Sequence, residues 1–292
     1  MAKLGGSLAK KANHRSSAGS ANDMAHNPDA KREGAQSGFP PYTHKLMLQS
    51  FLLSLIPPIV LVLALVLKNI TLLTYTHVMS AVMWTGFDLF MALILGRVLR
   101  ALDIAGRVEI AKRLTPSTFF LLPSLAATTI TAGIYLAMYL GVFNLAYYWI
   151  VAALIIVAIL TVLGFVILMP NSMRIFIELA KPIPDKERIA RFNGMNIKLA
   201  GIQGAFQILI IFIMVNISNL PNSAAQLDLP VIIYSLIAFA ALFFGVYLSI
   251  YRNALSSYKK GELDKNAVDT LRFGLYGHII IFLILGLTLL FA

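Results

Sequence analysis

Charge is distributed along this chain in a way that leaves room for one class of fold. Seven apolar runs, roughly 47 to 67, 73 to 96, 117 to 140, 146 to 169, 195 to 217, 229 to 250 and 273 to 291, uncharged but for Asp88 and, near the start of the fifth, Lys198, each come close to the ~20 apolar residues that cross a bilayer as a helix. The basic residues fill alternate gaps. Seven precede the first run (Lys3 to Lys45), five follow the second (Arg97 to Arg113), six the fourth (Arg174 to Lys198) and five the sixth (Arg252 to Arg272). That accounts for 23 of the 24 Lys and Arg residues, and only Lys68 falls in the other set of gaps. By the positive-inside bias, the basic gaps are cytoplasmic. The expectation is an all-α polytopic membrane helix bundle of seven transmembrane helices, with the N-terminus in the cytoplasm, the C-terminus outside, and the cell membrane as its location.

Composition agrees, with 59% hydrophobic and 13% charged residues. A net charge of +11 would point to nucleic acid in a soluble protein, but here the bases flank span ends on one side, where anionic lipid accounts for them. The partners expected are therefore the lipid bilayer and, as a second class, other membrane subunits, with no nucleic acid. The chain has no cysteine, so any metal or haem iron would need His, Met, carboxylate or Tyr ligands. Residues 1 to 44 read as a flexible basic cytoplasmic tail, in which His14 and His26 are solvated, and 45 to 292 as the seven-helix transmembrane domain.

Prolines mark where helices bend or begin. Pro57-Pro58 predicts a kink in span 1 that is tolerable only if neighbours satisfy the freed carbonyls. Thr115-Pro116 reads as the N-terminus of span 3, with Pro123 kinking it soon afterwards. Spans 3 and 4 should be joined by a tight turn at Gly141 to Asn144. Between spans 4 and 5, Asp185 is an N-cap candidate, and 258 to 270 reads as a solvated link. The sequons at Asn69 and Asn216 lie too close to the membrane to count as glycosylation sites.

Polar residues at membrane depth cost free energy unless they face protein or water, and so carry the functional information. At ~100° per residue, His77 and Asp88 of span 2 share a face with Ser80, Trp84 and Met91, while Gly86 points the opposite way. Asp88 is the one acidic residue inside any expected span. A second face in span 5 carries Asn196, Gln203 and Gln207, with Gly194, Gly201 and Gly204 allowing a close neighbour. His278 lies about one-third into span 7. A rise of 1.5 Å per residue puts Asp88 and His278 at about the same depth, and His77 ~17 Å away along the normal. Asp88 and His278 are accordingly the candidate catalytic or proton-handling pair, with the Gln203 and Gln207 face as the alternative partner of Asp88.

The run from His77 to Phe90, HVMSAVMWTGFDLF, reads as H-x6-W-x-G-x-x-x-F. It resembles a helix of a loose superfamily of small multi-span proteins that includes copper-resistance protein D, the HemJ-type protoporphyrinogen oxidases and the membrane domain of cytochrome-type urate oxidases. In the haem-binding members a His at the start of this helix is an axial ligand to haem b. The resemblance implies His77 as a metal ligand, with Trp84 and Met91 in the cofactor environment and a redox or porphyrin-handling role. Two other readings stand beside it: a proton-coupled transporter or permease using Asp88, and an accessory subunit of a membrane complex. No soluble-enzyme motif is present.

Overall fold

The computed structural model describes residues 42–181, 183–220, 229–263 and 265–291. Residues 1–41, which hold most of the expected tail with His14 and His26, lie outside the described residues, as does 221–228 of the outer loop between spans 5 and 6. Seven helices are long and apolar enough to cross a membrane: Thr43–Val66, Ile70–Ala101, Leu121–Tyr139, Tyr148–Leu179, Lys186–Ile217, Leu236–Lys259 and Lys265–Leu290, spans 1 to 7. No strand occurs among the described residues. The protein is an integral, multi-pass, all-α membrane protein. Leu53, Ile59, Leu93, Ile94, Ile208 and Phe212 stand on its outward faces, where lipid takes the place of solvent.

Short connections make successive spans antiparallel. Span 1 passes to span 2 through Lys68, which takes the left-handed conformation (φ 50°), and Asn69 then caps span 2 by accepting from the Leu72 N–H at 2.9 Å. Gly141 (φ 66°) turns the chain between spans 3 and 4 as expected, and Asp185 caps span 5 through the Arg188 N–H at 3.0 Å. Two boundaries differ from the sequence reading. Thr115-Pro116 lies inside a separate connecting helix, Ile104–Thr118, capped by Asp103, and span 3 begins only at Leu121. The link between spans 6 and 7 is also short, because helix continues to Lys259 and resumes at Lys265 around the left-handed Gly261.

The prolines behave as their chemistry requires. Pro58 cannot donate to the carbonyl of Ser54, span 1 breaks at Leu55, and the Ser124 hydroxyl of span 3 donates to that carbonyl at 2.5 Å. Pro123 likewise leaves the Phe119 carbonyl without its helical donor. Here the His278 ring of span 7 packs into the place, with Nε2 3.2 Å from Phe119 O and Nδ1 2.8 Å from Gly274 O, the single N–H of a neutral ring serving one of these two carbonyls at a time.

Span 3 is the most buried span and is shared by two sub-bundles. On one side, spans 1, 6 and 7 close around an aromatic core of Phe120, Phe243, Tyr247 and their neighbours. Gly274 and Gly277 of span 7 make room for Tyr247, Phe119 and Phe120, so a β-carbon at either position would collide with these rings. On the other side, spans 2, 4 and 5 pack around space.

Candidate functional site

Small residues set spans 2 and 5 close together. A β-carbon on Gly204 would lie 2.9 Å from Leu89, and one on Gly201 3.1 Å from the Ala92 methyl. Gly96 of span 2 meets Ile197 of span 5 in the same way, at 2.8 Å. This close approach brings the polar face of span 5 onto the stripe of span 2. Gln203 Nε2 donates to Asp88 Oδ2 at 2.8 Å and Gln207 Nε2 donates to the same oxygen at 2.9 Å. All three side chains are buried. The third amide of that face, Asn196, donates instead to Ser172 of span 4 at 3.2 Å.

The expected Asp88–His278 pair is not formed. Depth along the membrane normal was common to both, but span 7 packs against spans 1, 3 and 6. His278 makes both of its ring contacts to carbonyl oxygens, at Gly274 (2.8 Å) and Phe119, inside a cage of Phe119, Phe120, Phe243 and Tyr247. It lines none of the cavities described below. Its role is to hold spans 3 and 7 together, and it is no longer a candidate catalytic group.

Three cavities lie among spans 2 to 5, and Asp88 stands where the two inner ones meet. The outer one, about 140 Å³, is almost wholly apolar and is bounded by His77, Trp84, Thr129, Gly133, Gln207 and Met214 among others. Toward the end of the bundle that the basic gaps assign to the cytoplasm lie a cavity of about 80 Å³ bounded by Trp84, Asp88, Thr118, Gly164, Ser172 and Gln203, and one of about 70 Å³ bounded by Asp88, Met91, Thr115, Ser172, Asn193 and Asn196. Trp84 belongs to both the outer and the first inner wall. Asp88 belongs to both inner ones. Hence most of the stripe read from the sequence is a lining: His77, Trp84, Asp88 and Met91 each bound a cavity and Ser80 is buried among them, whereas Met79 and Met83 on the opposite side are exposed.

Sequence reasoning did not find the two π-helical turns that flank this junction, Met91–Leu95 in span 2 and Val162–Leu168 in span 4. Such turns are frequent at functional sites, where they let a helix shift register locally. Pro170, immediately after the second, was a usable signal, because a proline removes a helical donor from the turn before it.

His77 sits over Gly133 of span 3, where a β-carbon would be 2.8 Å from its Cε1, and its Nδ1 is 2.9 Å from the Thr129 carbonyl oxygen. A carbonyl only accepts, so Nδ1 carries the proton and Nε2 keeps the lone pair, the tautomer that can ligate a metal. The surroundings do not fit haem b. A cavity of about 140 Å³ is of the size that takes a benzene-sized guest, and no Lys or Arg lines it to pair with two propionates. No group of three His, Cys or carboxylate side chains poised for a metal occurs among the described residues. Comparison with protein-family models, with curated proteins and with solved structures finds no match to this chain, and its chemistry has to be read from the residues themselves.

Proposed function

We propose that this protein is a proton-coupled transporter or permease of the cell membrane, in which Asp88 is the group that is loaded and unloaded and spans 2 to 5 line the path. The observation that carries this reading is the position of Asp88. It touches both inner cavities, it is bonded to the Gln203–Gln207 turn that reaches the outer one, and Trp84 stands between the two sides. A buried carboxylate held by neutral amides is a costly device for helix assembly, since an amide pair would join the same two helices without a charge to desolvate. It is a natural device for carrying a proton, because protonation removes the charge that burial penalises. The π-turns beside it supply the local freedom that opening one side and closing the other requires.

The experiment is reconstitution into liposomes carrying a pH-sensitive dye, with an imposed pH gradient and with NaCl and KCl on both sides as candidate coupled ions. Wild-type protein dissipates the gradient faster than empty liposomes, and Asp88→Asn, which keeps the shape and can still meet the two amides, reduces the rate at least tenfold. Equal rates for wild-type and Asp88→Asn would reduce the Asp88 cluster to an assembly contact.

A further inference from the structure

The polar groups around Asp88 are one-sided in their chemistry. Both amide donors go to a single carboxylate oxygen, Oδ2, and what remains is acceptors. Gln203 Oε1 and Gln207 Oε1 are buried without a hydrogen-bond partner, on side chains that are each 2% exposed. Exchanging amide oxygen and nitrogen would not cure this, because it would press a carbonyl oxygen against the carboxylate. Gln203 Oε1 looks toward the first inner cavity, 3.8 Å from where a β-carbon on Gly164 would stand. The hydroxyls of Thr118 and Ser172 line that same cavity. Each donates to a carbonyl of its own helix, which leaves acceptor capacity on both oxygens, less on Ser172 because it already accepts from Asn196.

The missing partner has to be positive and small. No Lys, Arg or His lines either inner cavity, and Asp88 forms no ion pair among the described residues. One carboxylate in hydrocarbon is neutralised by one unit of charge, whereas a divalent ion would leave a net positive charge there. Carboxylate, amide and hydroxyl oxygens are hard ligands, suited to a hard cation and not to one that seeks thiolate or imidazole.

We infer that Asp88 and Gln203 bind one alkali cation of the size of Na⁺, with Thr118 and Ser172 completing an oxygen shell from the first inner cavity and Gln207 holding the carboxylate from behind. That cavity, about 80 Å³, has room for the ion together with water. The cation and the proton compete for the one carboxylate. No other titratable side chain lines the inner cavities, and His77, on the outer one, is turned to Thr129 and Gly133. The inference rests on the transport reading for its physiological role, which becomes cation–proton exchange, but binding itself does not require transport.

The test is thermal unfolding of the detergent-purified protein as NaCl replaces choline chloride at constant ionic strength, at pH 8 and pH 6. Expected is a saturable rise in Tm with Na⁺, whose midpoint moves to at least fivefold higher Na⁺ at pH 6. Asp88→Asn abolishes the rise, and Gln203→Met, which keeps the volume but loses the amide oxygen, raises the midpoint at least fivefold. A wild-type Tm indifferent to Na⁺, or an equal rise in Asp88→Asn, overturns the inference. If Asp88→Asn does not fold, the wild-type titration and Gln203→Met decide. Na⁺ binding without flux in the liposome assay leaves the site standing as a structural ion site and removes the transport reading. Asp88-dependent flux with no Na⁺ response does the reverse.

Discussion

Asp88 draws both of its protein hydrogen bonds from neighbouring turns of one helix, so its loss is felt almost entirely between spans 2 and 5. Hydrogen bonds to a charged group contribute about 1.5–3 kcal/mol, which sets the coupling expected between Asp88→Ala and Gln203→Leu when each is measured alone and together. By contrast, Asp88→Asn and His278→Gln should add to within about 0.5 kcal/mol, because the two side chains share no partner. A double-mutant cycle in chemical denaturation checks both, and coupling to His278 as large as that to Gln203 would contradict the packing described. The residues of this site are largely legible in the sequence. The His77–Asp88 stripe follows from helical angle alone, and the amide face of span 5 from spacings of seven and four. The wrong partner for Asp88 has a simple cause: residue counting gives depth, and two groups at one depth can still lie on opposite sides of a bundle.

At the scale of helices, two of the gaps that prolines open in the backbone ladder, at Pro58 and Pro123, are met by a side chain from another span. Ser124→Ala leaves the Ser54 carbonyl buried without a donor and should cost about 1–3 kcal/mol, toward the lower end because the unfolded state in a membrane also finds partners. Ser124→Thr, which restores the hydroxyl, should recover part of it. The proline kinks are readable from sequence, but the residues that mend them are not, since Ser124 and His278 lie far from the prolines in the chain. Between spans 4 and 5 a comparable clasp is built on Glu178. This buried carboxylate takes Lys181 at 2.8 Å, the Asp185 N–H at 3.3 Å and Arg188 at 3.6 Å. Removing the centre of such a network releases Lys181, Arg188 and the Asp185 N–H together, so Glu178→Ala should open the start of span 5 to protease while leaving the opposite end of the bundle protected.

For the whole molecule, the two sub-bundles hinged on span 3 differ in kind. Spans 1, 6 and 7 with span 3 enclose a dense aromatic core, whereas spans 2, 4 and 5 with span 3 enclose cavities. Large-to-small changes such as Phe243→Ala should therefore cost several kcal/mol, about 3–5, while Ile210→Ala on the outer cavity should cost less, since space already exists beside it. The detergent-purified protein should also show no Soret band that depends on His77; a band lost in His77→Ala would restore the haem reading over the present one. The runs between basic gaps make the span number legible in the sequence, but cavities arise from what three or four helices fail to fill, and no single stretch of sequence records that. The indole of Trp84, standing between the outer and inner spaces, makes the protein its own optical gauge. The chain's other indole, Trp149, packs against Tyr148 and Phe212 at the outer end of span 4 and can be replaced by Phe. In that single-indole protein the emission maximum would track how wet the middle of the membrane path is, shifting red whenever water crosses the partition and blue when it is expelled.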